Sequence, residues 1–221
     1  MVRVLQIVTK MDRGGLETML MNYYRQIDRN KVQFDFLVHR SERGVYDDEI
    51  EALGGVIYRI QRLNPLSLGY YRTLNIFFDS YKEKYRIVHS HLDCMSAYPL
   101  RAAKRAGIPI RIAHAHSTSQ DRDWKYWFKL FSLQIIPRYA TDYFACGKEA
   151  AKWMFGDCPA IILPNAINAE DYIFNQAMRE KVRSQFGIMT DELLIGHVGR
   201  FSPPKNHDFL VDVFAEVLKQ R

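Results

Sequence analysis

Two short histidine runs carry the clearest chemistry in the sequence. His89-Ser90-His91, with Asp93 just beyond, and His114-Ala115-His116 each set two imidazoles two residues apart. Alternate residues of a strand share a face, so an extended run points its imidazole pair one way. Imidazoles titrate near neutral pH and bond through two distinct nitrogens. Three uses compete: a metal held together with Asp93, a polar site in which one histidine faces a sugar, or structural bonding to neighbouring loops. The second candidate is Gly14-Gly15, after an apolar run and before a helical pattern. Paired glycines let a phosphate or sugar approach backbone N–H groups, and a helix N-terminus adds partial positive charge. Neither G-x-G-x-x-G nor G-x-x-x-x-G-K-[ST] is present. A turn requiring positive φ accounts for two glycines equally well.

The elements that must position these residues follow from periodicity. Residues 4–8 read as a strand, and Leu16, Met19, Leu20, Tyr23 and Ile27 recur at helical spacing over 16–27. Strands at 34–38, 56–60, 86–90, 110–114, 142–145 and 160–163 alternate with helices at 45–53, 68–82, 95–106, 124–136 and 148–154. Gly54-Gly55 and Gly107 stand where helix-ending glycines belong, with Pro109 close behind. This alternation predicts right-handed βαβ units and an α/β fold, a doubly wound Rossmann-like parallel sheet ending near residue 163. Both histidine runs then close strands at the carboxyl edge, where open α/β sheets bind ligands.

Pro164-Asn165-Ala166-Ile167-Asn168 breaks that rhythm. A polar helix at 176–186, a strand at 193–198, a loop at 199–205 and a helix at 206–219 complete the chain. One strand and one helix bury no core of their own. The expectation is therefore one domain at 1–165, a connection at 166–190, and the opening βα unit of a truncated second domain at 191–221.

Bulk composition removes several classes. With 48% hydrophobic and 25% charged residues the chain is neither disordered nor collagenous. Cys94, Cys146 and Cys158 form no C-x-x-C pair, which argues against a disulfide framework or a four-cysteine zinc site and fits a reducing compartment. The first apolar run is too short for a signal peptide, and no stretch nears the roughly 20 apolar residues of a spanning helix. A cytoplasmic protein is expected. A net charge of +6 suits anionic partners. No basic run or RNP-like aromatic motif points to nucleic acid, so none is expected as a partner. Trp124, Trp127, Phe128, Phe131 and Ile135 form an apolar stripe with Lys125 and Lys129 nearby. Leu130, Leu133 and Ile136 widen it and favour a core helix, while peripheral contact with a membrane stays open.

In order along the chain, several runs resemble the N-terminal half of family 4 glycosyltransferases of the GT-B type, especially the capsule and exopolysaccharide (EpsF-like) branch. They are Val4-Leu5-Gln6-Ile7-Val8 with Gly14-Gly15-Leu16-Glu17, Ile87-Val88-His89-Ser90-His91, and Arg111-Ile112-Ala113-His114-Ala115-His116-Ser117. Phe144-Ala145-Cys146-Gly147-Lys148-Glu149-Ala150, Pro164-Asn165-Ala166-Ile167-Asn168, and Gly196-His197-Val198-Gly199-Arg200-Phe201 with Lys205-Asn206 follow. The H-x-H-x-D run also resembles the metallo-β-lactamase ligand run. Against that, Cys94 stands where that family's next histidine belongs, and the surrounding chain is βαβ.

The glycosyltransferase resemblance implies a retaining transfer of a hexose from a nucleotide-sugar donor to a glycan or lipid-linked glycan acceptor. It implies that residues 1–165 are the acceptor-side domain. It places Gly14 and Gly15 near the donor diphosphate and acceptor, His116 against the transferred sugar, and Arg200 and Lys205 on the diphosphate. No metal and no cofactor are expected, because side chains supply the positive charge. Ala166 departs from the glycine usual after the interdomain asparagine. The family's paired glutamates, eight residues apart, do not occur before Arg221. The 221 residues are thus expected to fold, to transfer no sugar, and to bind a nucleoside diphosphate weakly or not at all. A UDP-sugar epimerase of the same fold, a non-catalytic sugar- or nucleotide-binding module and a zinc hydrolase are the alternatives.

Overall fold

The structure, a computed structural model, describes residues 1–119, 126–199, 201 and 205–219. The chain divides into two units, Met1–Ala169 and Glu170–Arg221. In the first, Val/Ile/Leu-rich runs become parallel strands because both faces of each are covered. The elements are β1 (Val2–Val8), α1 (Gly15–Gln26), β2 (Val32–Val38), α2 (Asp47–Ala52), β3 (Ile57–Arg59), α3 (Leu68–Tyr81) and β4 (Ile87–Ser90). There follow α4 (Ala97–Arg105), β5 (Ile110–Ala115), α5 (Tyr126–Ile135), β6 (Asp142–Ala145), α6 (Lys148–Phe155) and β7 (Ile161–Ile162). The strand order is β3-β2-β1-β4-β5-β6-β7, all parallel, which is the doubly wound Rossmann-like sheet the alternation predicts.

Strand alternation sorts two cores onto opposite faces. Leu5, Ile7 and Leu37 join Tyr70, Leu74, Phe78 and Leu100, whereas Val8, Phe36 and Val38 join Met19, Leu20, Tyr24 and Ile50. Glycines at positive φ stop the helices: Gly54 at 86°, Gly107 at 83° and Gly156 at 61°. The segment expected as one helix over 95–106 starts instead as a 3-10 turn, Asp93–Ser96, before α4. Of the expected 124–136 helix, Tyr126–Ile135 is observed and residues 124 and 125 lie outside the described residues. Its stripe splits. Leu133 and Ile136 are buried and Phe128 stacks on Tyr98, but Trp127 and Phe131 face solvent.

The second unit holds α7 (Gln176–Gln185) and α8 (His207–Lys219). The strand expected at 193–198 does not form, and no strand is assigned among the described residues of this unit. Leu193, Leu194, Ile195 and Val198 are exposed. A strand needs a neighbour for its N–H and C=O groups, and local β-propensity cannot supply one.

One buried charge ties three elements of the sheet domain together. Asp35, fully buried on β2, accepts from Arg3 (2.7 Å), the Val56 N–H (2.9 Å) and the Tyr85 hydroxyl (2.6 Å), with the Lys84 ammonium at 3.0 Å. Burial pushes its carboxyl up, but the bonds from Tyr85, Val56, Lys84 and Arg3 outweigh this and hold it below the ordinary range. Asp35→Ala strands these donors and should cost about 3–5 kcal/mol. Tyr85→Phe should cost about 1 kcal/mol. Urea unfolding of both variants checks the ranking, and equal losses would show that Asp35 is not the hub.

Candidate functional site

The strand register brings the two histidine runs together. Gln6 of β1 pairs with His89 of β4, His89 pairs with Ile112 of β5, and His114 lies two residues further on the same face. His89 Nε2 is 3.0 Å from His114 Nδ1, and His91 Nδ1 is 2.9 Å from His116 Nε2. Rings also meet along each strand, with centroids 4.1 Å apart for the tilted pair His89 and His91 and for the stacked pair His114 and His116.

One end of this ladder fixes its protons. The Gln6 Oε1 carbonyl oxygen lies 2.8 Å from His91 Nε2 and can only accept, so His91 carries its hydrogen there. His91 Nδ1 is then a lone pair and accepts from His116 Nε2–H. His116 is left with Nδ1 as a bare acceptor, with no partner among the described residues. Burial, the main cause, holds all four rings below the ordinary imidazole range: His89 to about 3, His114 to about 2, His91 well below and His116 lowered. At neutral pH the ladder is uncharged.

Asp93 sets the loop that carries His116. Its backbone is left-handed, at φ 45°, a conformation Asp tolerates better than most residues. Its carboxylate accepts from the His116 N–H (2.8 Å) and the Ser117 hydroxyl (2.9 Å). Nitrogens of His89, His91 and His114 lie within 4.8 Å of one another, close enough to share a metal. The His89–His114 and His91–His116 contacts are hydrogen bonds whose protons a metal would displace, and Asp93 is committed to the β5 loop. His114 Nε2 is a buried nitrogen with no partner among the described residues.

The glycine loop differs from its positive-φ reading. Gly14 is extended, at φ −144°, and caps α1, while Gly15 is its first helical residue. A Cβ on Gly15 would meet nothing nearby, and one on Gly14 would meet only the Glu17 carboxylate. That carboxylate occupies the space beside the helix N-terminus, so an incoming anion must move it. Gly14 and Gly15 line a cavity of about 350 Å³ with Arg13, Asn165 and Ala166. The connection is held there by Asn22 and Tyr23, which donate to the carbonyls of Ala166 and Pro164 at 2.8 Å each. Of the two cations expected on the diphosphate, Arg200 lies outside the described residues, and Lys205 belongs to the second unit, its stem beside Gly199.

Sequence reasoning missed Gln6 and the anchoring role of Asp93. The signal for Gln6 was a lone amide inside an apolar strand. His39 went unused as well. It is fully buried, donates from Nδ1 to the Val8 carbonyl (3.0 Å) and accepts at Nε2 from Tyr70 (2.9 Å), and burial lowers it to about 4.

Nitrogen-15 NMR of the imidazoles should find the proton on Nε2 in both His91 and His116 at pH 7. A proton on Nδ1 of His116 would break the chain of inference from Gln6. Buried rings also make stability depend on pH. Their folded pKa values lie below the unfolded value near 6.5, so the unfolded chain gains protons first as pH falls. Stability should be full above that value and fall below it by about 1.4 kcal/mol per pH unit for each such histidine. His39→Gln, which keeps a donor for Val8 and an acceptor for Tyr70, should flatten the urea-unfolding slope between pH 6 and 5 by one such increment. An unchanged slope would show that His39 titrates normally.

Residues 13–173 match the Glycosyltransferase Family 4 domain. The chain is 38% identical over 232 aligned residues to EpsF of Bacillus subtilis (strain 168), a protein named as a glycosyltransferase, covering 99% of this chain and 59% of that protein. It is 26% identical to the capsular polysaccharide biosynthesis glycosyltransferase CapH of Staphylococcus aureus, covering 100% and 59%. The crystal structure of Anabaena HepE in complex with UDP superposes with a TM-score of 0.76 at 15% identity, covering 98% of this chain and 58% of that one, a likeness of fold. The chain thus spans about three-fifths of the length of the relatives it matches. With the family domain laid over the glycine loop, both histidine strands and the connection after β7, the chain belongs to glycosyltransferase family 4.

Proposed function

We propose that this chain is the acceptor-side part of a retaining glycosyltransferase that moves a hexose from a nucleotide-sugar to a glycan acceptor in capsule or exopolysaccharide synthesis. In that reading residues 1–165 hold the acceptor, 166–190 connect, and 191–221 open the donor-binding domain. The polysaccharide context comes from the names of the EpsF and CapH relatives, and a nucleotide donor from the UDP held by the Anabaena protein.

The carrying observation is His116. It closes the β5 edge with a neutral ring, Nε2 committed to His91 and Nδ1 with no partner among the described residues. A hydroxyl of the transferred sugar can donate to that nitrogen and be held in register for attack. Negative charge grows on the departing nucleoside diphosphate, and Arg200 and Lys205 are the side chains proposed to meet it. Gly14 and Gly15 leave room for its approach once Glu17 swings aside. This assignment needs no metal and no cofactor.

Among the described residues no helix is long and apolar enough to cross a membrane. Trp127 and Phe131, exposed one turn apart on α5, offer a surface for peripheral contact with a lipid-linked acceptor at the cytoplasmic face.

In an enzyme extended to the length of its relatives, His116→Ala should lower kcat for sugar transfer about a hundredfold or more while the protein still folds. Transfer at the parent rate would remove His116 from the site. Product analysis of the same reaction separates transfer from epimerisation of the donor.

A further inference from the structure

The strand order reverses between β1 and β4, and ligands of open α/β sheets settle at such a switch point, beyond the carboxyl ends. A cavity of about 300 Å³ lies there, lined among others by Thr9 after β1, His39 and Arg40 after β2, Arg62 after β3, and His91 and Asp93 after β4. Its polar surroundings are largely accounted for. His91 bonds Gln6 and His116, His39 bonds Val8 and Tyr70, and the Asp93 carboxylate holds His116 and Ser117.

The two arginines are the exception. Arg40 gives one nitrogen to the His39 carbonyl (2.9 Å), Arg62 is exposed, and neither has an acidic partner among the described residues. Elsewhere in this domain Arg3 pairs with Asp35, Arg25 with Glu49, Arg43 with Asp48 and Glu51, Arg59 with Asp47, and Arg105 with Asp79, whereas Arg40 and Arg62 bring two guanidinium groups to one cavity. Arg40 and Arg62 also line an adjoining cavity of about 410 Å³, whose acidic lining residue, Glu42, is exposed and makes no ion pair among the described residues.

We propose that this cavity is a subsite for an anionic group on the acceptor. The group is a phosphate of a lipid carrier or a carboxylate of an acidic sugar, gripped by the paired forks of Arg40 and Arg62. Guanidinium groups suit both oxyanions because their N–H groups match the spacing of the oxygens. An acceptor held there lies next to His91, and so one hydrogen bond from His116, where the proposed transfer takes place. The inference rests on the glycosyltransferase reading for the word acceptor, and on the cavity alone for the anion.

Inorganic diphosphate and glucuronate are titrated separately into the 221-residue chain, with calorimetry for affinity and amide NMR for location. Binding is expected to shift the amides of His39, Arg40 and Arg62, and to weaken at least tenfold in Arg40→Gln and Arg62→Gln while Arg105→Gln binds as the parent does. Diphosphate binding alone assigns a carrier phosphate, glucuronate binding alone an acidic sugar, and binding of both supports the shared subsite. No binding of either probe, binding indifferent to the two variants, or shifts confined to Gly14 and Gly15 would overturn the subsite. Because the readout is binding, it stands apart from catalysis. Anion binding in an extended enzyme that transfers no sugar would sink the transferase reading and leave the cavity, whereas transfer without such binding would do the reverse.

Discussion

The β1–β4–β5 register is the constraint on which the site depends. Three parallel strands in that alignment place Gln6, His89, His91, His114 and His116 on one face at contact distance. A slip of one residue in β4 would turn its imidazoles to the opposite face, among Ile7 and Ala113 in the apolar core. The two cores on either side of the sheet make that slip expensive, because every apolar side chain of the strand would change face with it. Packing far from the site therefore sets the proton positions within it.

Desolvation does the second part. Burial keeps the rings uncharged near neutral pH, and an uncharged imidazole can be donor at one nitrogen and acceptor at the other. Gln6 breaks the symmetry between the two possible directions of the His91–His116 bond, since its carbonyl oxygen accepts only. Asp93 then fixes the loop so that His116 meets that bond. Together they decide which nitrogen of His116 is left open for the proposed substrate. The cost is visible in His114, whose buried Nε2 lacks a partner among the described residues.

Much of this frame was legible from residue order. Short apolar runs alternating with helical periods announced the parallel sheet, and β6 was found at its predicted bounds, Asp142–Ala145. The carboxyl-edge location of the histidines follows from the same alternation. What was hidden depends on neighbours distant in sequence. Gln6 and His91 are 85 residues apart, and no local pattern says that an amide in one strand will meet a ring in another. Residues 193–198 have the composition of a strand, but composition cannot provide the adjacent strand that would pair with it. Gly14 and Gly15 suggested a turn at positive φ, whereas an extended cap and a first helical residue also accept glycine, for want of any side chain to seat. Trp127 and Phe131 fit a core stripe by period alone. Their exposure follows from which side of α5 meets Tyr98.

The charge distribution joins these points to the proposed chemistry. Glycosyl transfer builds positive character on the sugar ring and negative charge on the leaving diphosphate. A protonated histidine beside the ring would oppose the first, so a site that holds His116 neutral suits the sugar side of the reaction. Fixed cations belong on the other side, and the chain keeps them off the histidine ladder: Arg3, Arg59 and Lys84 are spent on buried carboxylates. Among the described residues Arg40 and Arg62 have no such partner, and they line the β2 and β3 side of the cavity that His91 closes. An acceptor anchored there by an anion would present its hydroxyl toward the ladder without bringing its charge to the reacting carbon. The arginines share that cavity with neutral His91 and not with His116, an arrangement that would let one sheet edge hold a charged acceptor and, further along, a sugar ring that becomes cationic.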